Sequence, residues 1–191
     1  MKIELHGDDH FSTPHLELYL ITPEELVALR PHPADNSIFS DRPFINPHGI
    51  LTSENLPREN RIKDVELHPE NIKWYYRLIV LRETSEVIGS ISFHAGPDAD
   101  GMVEIGFGIH ENFRNCGYGK EALMAMFMWA CEQPTVKTLR YTVATNNAPS
   151  QAIVQKFNFA HKGVQIDDED GPEDIYEMST EEYFSRFVAM R

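Results

Sequence analysis

The sequence predicts an α+β fold, a mixed and mostly antiparallel twisted sheet of about seven strands flanked by helices, in a single domain spanning residues 1–191. Three observations carry this prediction. Residues 73–82, 86–93 and 102–109 are runs rich in branched and aromatic residues, and turn sequences separate them as in an antiparallel meander. Residues 119–131 hold a long helical pattern of strong helix formers that ends before Pro134. Finally, 191 residues suffice for one well-buried core and are short for two, and 41% hydrophobic with 25% charged residues is a globular mixture.

Residues 16–21 form a first short strand, followed by Thr22-Pro23-Glu24-Glu25. Thr22 caps a helix there, Pro23 fits its first turn and Glu25 completes a capping box. That helix stops before Pro31. From residue 31 to 69, prolines 31, 33, 43, 47, 57 and 69 interrupt every apolar run, which predicts a long loop with short helical pieces, either a substrate loop or a surface insertion. After the meander the 119–131 helix is apolar nearly all round, so it is expected to be buried. A strand at 139–145, a short helix at 149–157 and strands near 159–165 and 175–178 follow. The acidic run 167–174 is read as the loop between the last two strands. Ser179-Thr180-Glu181-Glu182 opens a final helix through Tyr183, Phe184 and Phe187, a stripe that is core by its spacing or else an interaction surface.

The formal net charge of −13 argues against broad attachment to nucleic acid or to an anionic membrane, since both require a basic face. A cationic substrate is more compatible with it. Neither a leader-like N-terminus nor an apolar run of membrane-spanning length is present, and Cys116 and Cys131 form no disulfide pattern, so the expected location is cytoplasmic. The nine histidines are scattered without metal-ligand spacing, and no metal is expected.

The stretch that carries chemistry is Arg114-Asn115-Cys116-Gly117-Tyr118-Gly119, after a strand and opening directly into the long helix. Free backbone N–H groups and the positive end of a helix dipole make an anion site, and glycines admit a phosphate closely. Arg114 and Lys120 add positive charge. A plain tight turn would also place glycines here. A P-loop is excluded, because Arg114 holds the place of its first glycine and Glu121 follows Lys120. The dinucleotide fingerprint fails at Gly106-Phe107-Gly108, where Glu111 holds the third glycine position.

RNCGYG resembles the acetyl-CoA signature R/Q-x-x-G-x-G/A of the GNAT acetyltransferase superfamily. The preceding VEIGFGI, the following KEA and the downstream YTVATNNAPSQAIVQKFNF are similar to the branch that contains the ribosomal-protein N-terminal acetyltransferases. The resemblance covers residues 73–178 well and residues 16–30 plausibly. It implies a sheet splayed between its fourth and fifth strands. It implies acetyl-CoA as co-substrate, held by Phe107, Gly108 and Ile109 on the fourth strand, by Arg114, Asn115, Cys116, Gly117, Tyr118, Gly119 and Lys120, and by Asn147 and Ser150. It also implies direct attack of a primary amine on the thioester, the amine being a small molecule or a protein N-terminus. The partners expected are therefore acetyl-CoA and an amine, with no nucleic acid and no membrane, in a monomer or homodimer. Two positions depart from the family: Asn158 replaces a glycine, and Val154 stands where many members carry a thiolate-protonating tyrosine. The resemblance makes Ser150 the replacement acid, while its local sequence equally suits a helix cap. Asn147 either contacts the pantetheine arm or shapes its loop. Glu104 is the candidate base, on the face of its strand opposite Val103 and Ile105, although a solvated carboxylate would look the same. His94 and His110 are further candidates for a proton relay through water. The alternative to an enzyme is a non-catalytic acetyl-CoA-binding regulatory or interaction module, for which the missing tyrosine speaks.

Overall fold

In the computed structural model, which describes residues 2–30, 35–167 and 171–188, nine strands and five α-helices follow one another along the chain. Pro31, before which the first helix was expected to stop, Pro33 of the proline-interrupted segment, and Asp168, Glu169 and Asp170 of the acidic run lie outside the described residues. The chain divides into two compact units, one of residues 1–95 and 107–125 and the other of residues 96–106 and 126–191.

The first unit holds strands β1 (Glu4–His6), β2 (His10–Ser12), β3 (Leu16–Leu20), β4 (Arg77–Leu81) and β5 (Glu86–Phe93), each antiparallel to the next. The β1–β2 hairpin is additional to the seven predicted strands. Three-residue strands are too short to show alternation; within this pair the His6 and His10 rings stack at 5.1 Å, and His10 also stacks on Tyr19 of β3 at 4.4 Å. Helix α1 (Pro23–Ala28) begins with the predicted capping box, Thr22 Oγ1 accepting from Glu25 N and Glu25 Oε2 from Thr22 N. The strand expected from residue 73 starts only at Arg77. Pro69–Trp74 is a 3-10 helix, so the aromatic residues Trp74, Tyr75 and Tyr76 mark burial there rather than extension. Helix α2 (Glu59–Leu67) contributes Ile62 and Val65 to a core that also takes Leu26 and Leu29 of the α1 region and Phe39, Phe44, Ile50 and Leu51 from the proline-rich segment. That segment is thus built into the core and is no loose insertion.

Two elements pass from one unit to the other. Strand β6 (Met102–Ile109) crosses the boundary at Gly106/Phe107, within its Gly-Phe-Gly run, and helix α3 (Tyr118–Cys131) crosses at Ala125/Met126. In the second unit the first half of β6 pairs in parallel with β7 (Thr138–Ala144), from Met102–Thr138 to Ile105–Tyr141. This ladder stops at Ile105, where the glycines begin. Strand β7 is antiparallel to β9 (Gly171–Ser179), and β9 to β8 (Ala160–Asp167), giving the order β6-β7-β9-β8. The predicted class is the observed one: strands mixed and mostly antiparallel, flanked by helices.

Helix α4 (Ala148–Phe157) ends on Asn158 in the left-handed conformation, φ 55°, the geometry for which asparagine is second only to glycine. Strand β9 starts at Gly171, so residues 171–174 are strand rather than the predicted loop. Their acidic side chains are partnered, Glu173 by Gln165 and Asp174 by Gln151 and His161. Helix α5 (Thr180–Tyr183) is capped by Ser179 Oγ. Tyr183, buried in the core, and Phe187, half-buried, pack on Phe157, and Phe184 is exposed.

Candidate functional site

Loop 114–119 has the backbone geometry that its sequence suggests. Gly117 sits at φ +88° and Asn115 at φ +62°, and Gly117 O accepts the first helical bond of α3, from Glu121 N. Among the described residues, no backbone N–H from Asn115 to Lys120 donates to another group of the chain. They are the orphan donors of a helix start. Gly119 is required by packing: a Cβ there would lie 2.6 Å from Cε2 of Phe107. Arg114 is held by Nε donating to Ile109 O at 2.9 Å, leaving its Nη groups exposed beside the loop. Cys116 is exposed, contrary to the packing role that free cysteines usually play, whereas burial pushes the Cys131 thiol up to about 12.

The far side of this helix start is held by a residue that motif reading passes over. Glu121, in the first turn of α3, is nearly buried, and its carboxylate accepts from Thr13 Oγ1, from His15 N at 2.8 Å and takes His15 Nδ1 at 3.0 Å. The turn between β2 and β3 is thereby tied to the helix start, and the His15 ring stands 6.4 Å from that of Tyr118.

On β6, His110 N donates to Ile88 O of β5, while Ile109 O turns the other way to receive Arg114. Alternation of backbone direction then points the N–H groups of Phe107 and Ile109 away from β5. Side chains alternate too: Phe107 packs under Gly119, and the bare Gly108 shares the other face. His110 stacks on His48 at 4.2 Å; its Nδ1 and His48 Nε2 are both buried without a hydrogen bond among the described residues, the latter 4.0 Å from Glu86 Oε2. His94 is exposed after β5.

In the second unit, Glu104 is half-buried, and its Oε1 accepts from Thr142 Oγ1 at 2.7 Å. It is not the freely solvated carboxylate that its strand position alone would allow. Asn147 is the N-cap of α4, its Oδ1 accepting from Ser150 N at 3.2 Å. The capping function weighed for Ser150 therefore belongs to Asn147, because Ser150 lies three residues on and uses its own N–H. Ser150 neighbours Tyr141 of β7, whose phenol burial pushes up to about 12 with Ser150 opposing the rise. Val154 is buried in α4. Tyr141 and Thr142 are adjacent on β7 and point to opposite faces, so Glu104 and Ser150 address opposite faces of that strand. Sequence reading missed Tyr141, whose only signal was a tyrosine at a buried position of an alternating strand. Among the described residues, no group of three or more His, Cys, Asp or Glu stands where it could hold a metal ion, and no helix is long and apolar enough to cross a membrane.

Known proteins share this fold. The family model of the acetyltransferase (GNAT) domain matches residues 26–160. The "Uncharacterized N-acetyltransferase YjdG" of Bacillus subtilis (strain 168) is 32% identical over 90 residues, 46% of this chain and 54% of that protein, so the chain spans about half the length of the curated relative it matches. The crystal structure of ribosomal-protein-S5-alanine acetyltransferase from Vibrio fischeri superposes with a TM-score of 0.63 at 14% identity, covering 91% of this chain and 98% of that one. A GNAT-family acetyltransferase from Bacillus anthracis gives 0.58 at 18% identity, over 91% and 99%. These two likenesses bear on the fold. Together with a family model that covers most of the sequence, they lead to one conclusion: the chain belongs to the GNAT acetyltransferase family.

Proposed function

We propose that this protein is a cytoplasmic N-acetyltransferase, acting as a single domain, that moves the acetyl group of acetyl-CoA onto a primary amine by direct attack. The observation that carries this reading is the run of unpartnered N–H groups from Asn115 to Lys120 at a glycine-bearing helix start, with Arg114 and Lys120 beside it. These donors suit the pyrophosphate of the co-substrate. Acetyl-CoA supplies an activated thioester, and the protein supplies orientation, proton acceptance and proton donation.

Glu104 accepts the proton of the attacking amine, held in place by the Thr142 hydroxyl. The N–H groups of Phe107 and Ile109 take the negative charge that develops on the carbonyl oxygen. From the first turn of α4, Ser150 donates its hydroxyl proton to the leaving sulfur and regains a proton from water. Asn147 fixes the helix start that carries Ser150. The acceptor is a small-molecule amine or a protein N-terminus, and no metal takes part.

The non-catalytic alternative draws on Val154, which cannot donate a proton. The Ser150 hydroxyl favours turnover. Release of free thiol from acetyl-CoA, followed across polyamines, amino acids, aminoglycosides and peptides of varied N-terminus, separates the two: thiol appears with an acceptor amine, and its absence with every amine would leave only a binding module. Ser150→Ala should lower turnover while acetyl-CoA affinity stays within a few fold. Because Asn147 is the cap, the thermal midpoint should barely move, whereas a lost cap would cost about 0.5–2 kcal/mol. A lower midpoint with unchanged turnover would remove Ser150 from the chemistry.

A further inference from the structure

The proline-rich segment ahead of α2 ends in a polar side chain that nothing in the described chain engages. Residues 45–55 are firmly held. Ile45 pairs with the β5 end through Ile45 N to Ser85 O and Val87 N to Ile45 O, both 2.9 Å. Asn46 clamps Ile50 in both directions at 3.0 Å, and Gly49 O accepts the N–H groups of Thr52, Ser53 and Glu54. His48 stacks on His110 at the end of β6. The segment also carries strain: Leu51, fully buried, has φ +63°, in a region that leucine rarely occupies. A segment anchored and strained in this way is set in one conformation before any ligand arrives.

Asn55 is what it presents. Its own φ is +51°, and its exposed carboxamide lies on Gly108 of β6: a Cβ at Gly108 would stand 3.1 Å from Nδ2 and 3.3 Å from Cγ. No hydrogen bond joins that carboxamide to any described residue. Gly108 lies between Phe107 and Ile109, whose N–H groups are assigned above to the thioester carbonyl. We propose that Asn55 is an acyl-group contact, its Nδ2 donating a hydrogen bond to the acetyl carbonyl oxygen; this rests on the acetyl-CoA reading of β6. The donor end is assigned because a carbonyl oxygen needs a donor, which the carboxamide supplies through Nδ2. With the segment already fixed, the contact forms without a further ordering cost.

Acetyl-CoA and CoA differ in the acetyl group alone, so the ratio of their affinities reads the contacts to that group, and its change in an Asn55 variant reads this one. Isothermal titration of the whole chain with each should show acetyl-CoA bound more tightly. Asn55→Gly keeps the left-handed backbone without strain and removes the carboxamide. It should reduce the acetyl-CoA/CoA preference by about three- to tenfold, the effect of one hydrogen bond, with CoA affinity within about twofold. Asn55→Asp keeps the shape, loses the donor and should do no better. A preference unchanged in Asn55→Gly, or restored in Asn55→Asp, overturns the proposal, as does a wild type without preference. A wild type that binds neither compound overturns the acetyl-CoA reading itself, which binding of both at an unaltered ratio would leave standing.

Discussion

Replacing Gly117 and Gly119 together with valine should reduce acetyl-CoA affinity by about 100-fold or more, in a protein that still folds. Two different mechanisms combine. At Gly117 there is open space but φ is +88°, so a branched residue would pull the backbone out of the left-handed region and redirect the neighbouring N–H groups. At Gly119 the conformation is helical but a Cβ would meet Phe107 at 2.6 Å, so the helix start or the Phe107 side chain must move. Hydrogen bonds to a charged group contribute about 1.5–3 kcal/mol each, and losing two of them accounts for the factor. Titration calorimetry of the variant, with circular dichroism to establish folding, checks this. Unchanged affinity in the folded variant would mean that the phosphates bind elsewhere.

Glu104→Gln should lower turnover by on the order of 100-fold, the low end for a lost general base, while acetyl-CoA binding stays at wild-type strength. The amide oxygen of glutamine can still accept the hydroxyl of Thr142, so the local structure is retained and proton acceptance alone is lost. The measurement is turnover against pH between about 6 and 9, where the amine itself begins to titrate. A profile equal to wild type in height and shape would exclude Glu104 as the base.

What the sequence disclosed follows from the range over which each feature is determined. The conformation of RNCGYG was legible because it belongs to the backbone of six consecutive residues, and the face of Glu104 because strand alternation assigns it without knowledge of neighbours. Asn158 was legible as a helix terminus for the same local reason. The closeness of Ser150 to Tyr141 was not, since it depends on which face of β7 meets α4. Nor was Glu121, whose partners Thr13 and His15 lie more than a hundred residues away along the chain. The segment around Asn55 was opaque for another reason. Leu51 adopts a left-handed φ that no leucine advertises, and the prolines that suggested irregularity concealed a segment pinned through Asn46 and Gly49.

Direct transfer is the centre of this account, and a single-turnover reaction with acetyl-CoA labelled in its acetyl group examines it most directly. Protein in excess is mixed with the labelled compound and each acceptor amine, and label is followed on the amine and on the protein by mass spectrometry. The account predicts label on the nitrogen of at least one amine, with none resident on the protein at any time. Label accumulating on Ser150 or Cys116 before reaching the amine, or remaining in acetyl-CoA with every amine tried, would contradict it.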